Sequence, residues 1–220
     1  TCSRNVDAGF SIVSYTGNDT AGATVGHGLS SAPEMIIIKN RDRAYDWIAW
    51  HDSLADDHHL KLHDTHAAIN SSTRFNSTDP SSTLFTLGNQ DDTNKASDKF
   101  IAYCFHSVDG FSKVGSYTGN GNADGTFVYT GFRVAMVIRK RTDGTTHWHI
   151  NDNARIGFNG AGSNLSLRPN VSDDEDDANR IDFLSNGFKV RTTSGDVNNN
   201  GSPFIYIAFA ESPFKYSNAR

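Results

Sequence analysis

The sequence predicts an all-β protein built from two tandem β-sandwich repeats of jelly-roll or immunoglobulin-like type. Three observations lead to this prediction: an ordered internal repeat, short apolar runs bounded by turn residues, and the lack of any long segment with helical periodicity. Apolar residues make up 36% of the chain and charged residues 20%, so each repeat has enough apolar material to form a core.

Four segments of the first half recur in the same order in the second half, at an offset of about 100 residues. The pairs are 9–18 with 110–120, 35–41 with 135–141, Trp47 with Trp148, and 100–105 with 204–209. This preserved order indicates a duplication. The boundaries that follow are a linker remnant at 1–8, repeat 1 at 9–109, repeat 2 at 110–214 and a C-terminal tail at 215–220.

Each repeat contains about seven apolar or β-branched runs, and Gly, Asn, Asp or Pro residues separate them. In repeat 1 the predicted strands are 10–15, 23–27, 35–39, 46–50, 59–62, 84–87 and 100–105. In repeat 2 they are 114–117, 126–129, 135–138, 147–150, 181–184, 188–190 and 204–209. Strands of this number and spacing are typical of a β-sandwich.

No flexible linker separates the repeats, because the last strand of repeat 1 ends near His106 and repeat 2 begins at Gly110. We therefore expect the repeats to pack rigidly, with a pseudo-two-fold axis as one arrangement. Cys104 aligns with Ala208, which predicts a small buried residue at that position. The other expected core residues are Ile36, Ile38, Trp47 and Phe105, with Met136, Ile138, Trp148 and Phe209 at the matching positions.

The overall charge limits the classes of partner. The formal net charge is −5, whereas nucleic acids and anionic membranes select for an excess of Lys and Arg. No apolar run approaches the roughly 20 residues that a membrane-spanning helix needs. We therefore expect neither a nucleic-acid partner nor membrane insertion.

Several motifs resemble an uncharacterised domain of tailed-phage tail-fibre or virion structural proteins, which are common in marine and cyanobacterial phages. The segments that carry the resemblance are 9–18, 28–41, Trp47, 125–133, 181–189 and 208–220. The resemblance implies a location on the virion surface after synthesis in the host cytoplasm. It also implies other virion chains as partners and a homo-oligomer, with a trimer as the usual form. The family supplies no catalytic residues.

Two functions follow from these observations, and a third is weaker. The first is a virion module that adheres to a host surface glycan or receptor through its inter-strand loops. The second is a purely architectural virion module with no host ligand. The third is a polysaccharide depolymerase, because paired carboxylates are a property of the fold and not of a sequence motif. The sequence contains no G-x-S-x-G, Walker or H-E-x-x-H motif, so we expect no enzymatic activity.

Candidate binding residues lie where the two repeats differ most. Trp50 has no counterpart in repeat 2, where Asn151 takes its position, so it is the better aromatic candidate for a surface contact. The repeated Trp47 and Trp148 are more typical of a core. The full candidate set is Trp50, His51, His58 and His59 in repeat 1, and Asn151, Asp152, Asp173, Asp174 and Asp176 in repeat 2.

We expect no cofactor and no metal site. The histidine-rich stretch 51–66 favours a solvated polar face, because repeat 2 has no matching cluster. Residues 196–201 match the start of an EF-hand loop but lack its final glutamate, which favours a hairpin turn. The acidic run 173–177 favours a solvated loop. Ca²⁺ binding at either segment remains the alternative.

Overall fold

The computed structural model describes residues 1–155, 159, 165–175 and 180–214. Strands account for 42% of the protein and helices for 4%, so the fold is all-β, with several antiparallel sheets arranged as in a β-sandwich. The chain divides into two compact units, Thr1–Ser107 (unit 1) and Val108–Arg220 (unit 2). The described part of the chain contains no helix long and apolar enough to cross a membrane.

Unit 1 consists of nine strands and one helical turn. In chain order these are β1 (Cys2–Asn5), β2 (Phe10–Thr16), β3 (Ala23–Gly26), β4 (Met35–Asn40), β5 (Trp47–His51), β6 (His58–Lys61), β7 (Ile69–Asn70), β8 (Leu84–Leu87), α1 (Asp91–Asn94) and β9 (Lys99–Phe105).

The strands of unit 1 form a seven-stranded sheet in the order β1-β2-β9-β4-β5-β6-β7 and a two-stranded sheet, β3-β8. Apolar side chains from both sheets share one core. Ile36, Ile38 and Ile48 come from the large sheet, and Phe85 and Leu87 come from the small one. Two sheets that bury their apolar faces against each other make a sandwich.

The described part of unit 2 contains eight strands and one helical turn. In chain order these are β10 (Ser112–Thr118), β11 (Phe127–Tyr129), β12 (Val134–Arg141), β13 (His149–Asp152), β14 (Ser166–Leu167), β15 (Ile181–Leu184), β16 (Gly187–Val190), α2 (Gly195–Asn198) and β17 (Pro203–Ala210).

Unit 2 has a five-stranded sheet in the order β10-β17-β12-β13-β14 and a three-stranded sheet in the order β11-β16-β15. We call the three-stranded sheet the small sheet of unit 2. Its inward side chains, which include Val128, Phe183 and Phe188, share a core with Val137 and Phe204 of the larger sheet. Unit 2 is therefore also a sandwich-like pair of sheets.

The Tyr-Thr-Gly-Asn segment at the end of β2 fastens that strand to α1. The Tyr15 hydroxyl donates to the Thr93 carbonyl at 2.7 Å, and the Asn18 N–H donates to Asn94 Oδ1 at 3.0 Å. Gly17 lies so close to this turn that a Cβ there would collide with backbone atoms of Asn94 and its neighbour. The segment therefore has a structural role in unit 1.

The same segment at the end of β10 fastens that strand to α2. The Tyr117 hydroxyl donates to the Val197 carbonyl at 2.9 Å, and the Asn120 N–H donates to Asn198 Oδ1 at 3.0 Å. A Cβ on Gly119 would collide with the backbone of the turn that begins at Asn198. Glycine is required at this position of both segments because the backbones approach so closely.

Residues 1–8, predicted to be a linker remnant, instead contain β1. This strand pairs antiparallel with β2, from Cys2 opposite Val13 to Asn5 opposite Phe10. A turn that closes at Gly9, with a φ of 62°, joins the two strands. The prediction was wrong because the polar strand lies at an exposed sheet edge, where apolar alternation is not required.

The core prediction was correct for Ile36, Ile38 and Trp148, each at most 1% exposed. Trp47 is only half-buried, as are Phe105, Phe209, Met136 and Ile138. Trp47 pairs with Lys39 in the sheet, and the Lys39 ammonium lies 5.9 Å from the centre of its ring. Trp47 and Trp50 are three residues apart on β5, so their side chains lie on opposite faces of the sheet. Trp50 lies on the core face, where Trp47 was predicted to lie.

Candidate functional site

Three of the four unit 1 residues predicted to bind a ligand are buried. Trp50, His51 and His59 are 2%, 1% and 0% exposed. Trp50 belongs to the core and packs against Phe75, with 6.4 Å between the ring centres. Only His58 is partly exposed, and its Nδ1 lies 2.6 Å from Asp57 Oδ1. The predicted loop surface in unit 1 is therefore wrong, because Trp50, His51 and His59 lie on the strands β5 and β6 and are buried there.

His59 is a neutral core histidine. Neither ring nitrogen has a hydrogen-bond partner in unit 1, all of which is described. Burial, with smaller contributions from the positive charges of Arg74 and Lys61, lowers the pKa of His59 to about 3. A metal centre needs several converging ligands, and the described residues contain no group of three or more His, Cys, Asp or Glu side chains placed to hold one.

The predicted residues of unit 2 differ in exposure. Asn151 is completely buried, so it cannot contact a ligand at the surface. Asp152 is half-buried and forms an ion pair with Arg155, with 2.5 Å between Nη2 and Oδ2. Arg155 also pairs with Glu175 at 2.9 Å, which joins Asp152 to the acidic run. Asp173 and Asp174 are exposed, and Asp176 lies outside the described residues.

The segment that resembles an EF-hand loop is largely the helical turn α2. Asn198 is buried, and its side-chain amide donates to Asn120 Oδ1 and to the carbonyls of Asn122 and Thr192. Its Oδ1 accepts the Asn120 N–H. This side chain is therefore committed to holding the fold.

A recess of about 360 Å³ in unit 1 includes Trp50 in its lining, together with Glu34, Asp52 and Asp79. Burial raises the pKa of Asp79, and the nearby carboxylates of Asp56 and Asp52 raise it further. Only 2% of Trp50 is exposed, which is too little for a sugar ring to stack on it. The recess thus lacks an accessible aromatic surface.

Two exposed aromatic residues lie on β11, at the edge of the small sheet of unit 2. Phe127 is 44% exposed and Tyr129 is 65% exposed, whereas Val128 between them points into the core. We call the outward surface that carries Phe127 and Tyr129 the aromatic face. Strand alternation puts both rings on the same side of the sheet.

Gly187 of β16 lies opposite Tyr129, and a Cβ there would collide with the Val128 carbonyl oxygen. Glycine is therefore required at this position. The Phe127 ring lies next to it, since its Cε2 would be 3.2 Å from that Cβ. Large exposed aromatic residues grouped in this way are common at binding surfaces.

Charged groups border the aromatic face on the side of Phe127. Phe127 lies opposite Lys189, and Lys189 lies opposite Asp182. Lys189 Nζ lies 2.6 Å from Asp124 Oδ1, and this contact is the main reason that the pKa of Asp124 is lowered. Arg191 bridges Asp124 and Asp182 at 3.0 and 3.1 Å. Hydrogen-bond donors and acceptors thus stand next to an apolar surface.

Unit 1 has no such face at the corresponding position. Val25 of β3 pairs with Phe85, as Val128 of β11 pairs with Phe188 in unit 2. The neighbours of Val25 are Thr24 and Gly26, both exposed. Neither fold nor core requires aromatic side chains at these positions.

The predicted strand 126–129 contains the aromatic face, but neither Phe127 nor Tyr129 was among the candidate residues. The candidates came from segments predicted to be loops that differ between the repeats, whereas this difference lies on a strand. The sequence does contain a pattern that indicates this face. When the repeats are aligned through the core valines Val25 and Val128, the two aromatic residues of the Phe-Val-Tyr run correspond to Thr24 and Gly26.

The chain belongs to the family described as Domain of unknown function (DUF7483), whose profile matches residues 1–213. No curated protein and no solved structure matches the chain.

Proposed function

We propose that this member of the family is a non-enzymatic adhesion module that binds a surface glycan through the aromatic face of unit 2. The observation that carries the proposal is the exposure of Phe127 and Tyr129 at positions where unit 1 has Thr24 and Gly26. Exposing two large rings to water is unfavourable, so a ligand that covers them would gain free energy from their burial.

A glycan fits the chemistry of this face better than a purely apolar ligand does. Aromatic rings stack against the apolar faces of sugars, and residues i and i+2 of a strand stand roughly 7 Å apart on one side of the sheet. The Lys189, Arg191, Asp124 and Asp182 side chains can exchange hydrogen bonds with sugar hydroxyls. Binding at one such open site is weak, and several copies on one particle would provide avidity.

We further propose that the protein is part of a virion surface, in a tail fibre or a surface decoration. The support is the sequence resemblance to tailed-phage structural proteins. A purely architectural role in the virion is the alternative, and polysaccharide depolymerisation is a weaker one.

We also infer that the two units arose by duplication. The strand order β2-β9-β4-β5 of unit 1 corresponds to β10-β17-β12-β13 of unit 2. In both units a Tyr-Thr-Gly-Asn segment docks on a helical turn through the same pair of contacts. These correspondences support the repeats that the sequence predicts.

The test is a glycan-array screen with the labelled full chain, followed by calorimetric titration of any glycan that binds. The Phe127→Thr/Tyr129→Thr double variant should lose at least about tenfold in affinity, while its melting temperature stays within roughly 2 °C because both side chains are exposed. The matched control is Thr24→Ala, which changes the equivalent strand of unit 1 and should bind normally.

Unchanged glycan affinity in the double variant would place binding elsewhere and refute the role of the aromatic face. If the array gives no binding while the chain assembles into particles, the architectural alternative is favoured.

A further inference from the structure

The inner face of the larger sheet in unit 2 carries polar side chains where unit 1 is mainly apolar. Arg139 of β12 pairs with His149 of β13 and Tyr206 of β17. In unit 1 the same place in the sheet belongs to Ile38, which pairs with Ile48 and Ala102. The sequence match of Ile38 with Ile138 is therefore one residue out of register with the sheet pairing. Asn151 of β13 takes the position that Trp50 of β5 has in unit 1. We call Arg139, His149, Asn151 and Ser166 the polar row; all four are completely buried.

The polar row is joined by hydrogen bonds. Arg139 Nη2 donates to Asn151 Oδ1 at 3.0 Å, and His149 Nδ1 lies 3.0 Å from Ser166 Oγ. The row runs from β12 across β13 to β14, which is the last strand in the order of this sheet.

The guanidinium of Arg139 is incompletely satisfied. Its Nε and Nη1 atoms have no hydrogen-bond partner among the described residues of the unit. Arg139 also donates to the Tyr117 hydroxyl oxygen, and this hydrogen bond offsets part of the fall in the pKa of Arg139 that burial causes. That hydroxyl donates its own proton to the Val197 carbonyl.

The surrounding charges leave Arg139 without a counter-ion. Arg180 adds a second positive charge that acts on both Arg139 and His149. Among the described acids, Asp196 contacts the row at His149, with its Oδ2 3.8 Å from His149 Nε2. The structure shows no carboxylate in ion-pair contact with Arg139 in the described part of unit 2.

A buried guanidinium that has two unsatisfied nitrogens, and no counter-ion within the described part of the chain, is strongly unfavourable. The Ile38–Ile48 pair of unit 1 shows that the fold does not need a charge at this position. We propose that unit 2 binds a small oxyanion, a carboxylate or a phosphate group, at Arg139 between its two sheets. The oxyanion accepts from Arg139, and the Asn151 and Ser166 side chains line its surroundings. This site is separate from the aromatic face, which lies on the outward side of the small sheet.

The test is calorimetric titration and thermal unfolding of the full chain with acetate, glucuronate or phosphate at pH 7 and constant ionic strength, with chloride as the reference. We expect saturable binding of about one oxyanion per chain and a rise in melting temperature. Binding of acetate and glucuronate without phosphate identifies a carboxylate ligand. Binding of phosphate alone identifies a phosphorylated one.

Arg139→Ile, which restores the residue type of unit 1, should weaken this binding at least about tenfold. Arg139→Lys retains the charge without the planar fork, and it provides a second variant if the isoleucine variant does not fold. The control is Arg133→Gln, because Arg133 is an exposed arginine that pairs with Glu211 at 2.7 Å and should not affect the site.

Three results would overturn the proposal. The first is the lack of saturable binding of all three oxyanions at millimolar concentration. The second is equal affinity in the wild-type chain and both Arg139 variants. The third is an experimental structure in which an acidic side chain of the chain itself occupies Nε or Nη1 of Arg139.

Discussion

Replacing Asn94 with alanine tests the contact between β2 and α1. Asn94 is 1% exposed, and its side chain accepts from the Asn18 N–H at 3.0 Å and donates to the carbonyls of Thr20 at 3.1 Å and Gly88 at 2.7 Å. Each bond contributes about 1 kcal/mol, so Asn94→Ala should reduce the free energy of unfolding by roughly 3 kcal/mol. The melting temperature should fall by roughly 10 °C.

The assay is urea unfolding followed by circular dichroism, with thermal unfolding as a second measure. Asn94→Asp separates hydrogen bonding from size, because it places a carboxylate oxygen against two carbonyl oxygens; it should be at least as destabilising. Asn5→Ala is the control, since Asn5 is exposed and its side chain accepts only the Ala8 N–H among the hydrogen bonds of unit 1. A loss below about 1 kcal/mol for Asn94→Ala would refute this account of the segment.

Three further predictions concern unit 1. In denaturant titrations, Trp50→Ala should lower the free energy of unfolding by about 3–5 kcal/mol and Trp47→Ala by clearly less. A larger loss for Trp47→Ala would contradict the assigned strand faces. The folded-state pKa of His59, about 3, lies below its unfolded value. The contribution of neutral His59 to the free energy of unfolding is therefore complete above pH 6.5 and declines as the pH falls toward 3. Unfolding titrations should show a loss of roughly 2 kcal/mol between pH 7 and pH 5 that His59→Gln reduces; an unchanged pH dependence would count against a neutral buried imidazole. Burial raises the pKa of Cys104 to about 12, so a thiol reagent should modify only the exposed Cys2 in the native protein and both cysteines in denaturant.

The sequence was sufficient to predict the all-β class and most of the strands, because their apolar runs and turn residues are local signals. It did not predict β1, whose four residues are all exposed and carry no apolar alternation. It also did not predict that the Tyr-Thr-Gly-Asn segments dock on helical turns. Asn94 lies 76 residues from the Asn18 N–H that it accepts, and no local pattern links them.

The candidate binding residues were predicted less well, for a physical reason. Trp50 has no counterpart in the second repeat, and that difference suggested a surface role. Its position opposite Ile36 in the sheet directs it into the core instead. Asn151, at the equivalent position, is equally buried but belongs to a polar interior. A residue that differs between the repeats can therefore lie in the core or on the surface. Strand pairing is needed to distinguish the two cases.

The long sequence separation of the strand-to-turn contacts also affects how each unit folds. The Asn18–Asn94 and Asn120–Asn198 hydrogen bonds span 76 and 78 residues. Closing a flexible loop of this length costs on the order of 4 kcal/mol in chain entropy before the contact returns any stabilisation. Folding should therefore be slow, from milliseconds to seconds, as in other proteins dominated by distant strand pairs. Until the first and last strands of a unit meet, their open edges can pair with other chains, so aggregation during synthesis is the main hazard that this topology creates.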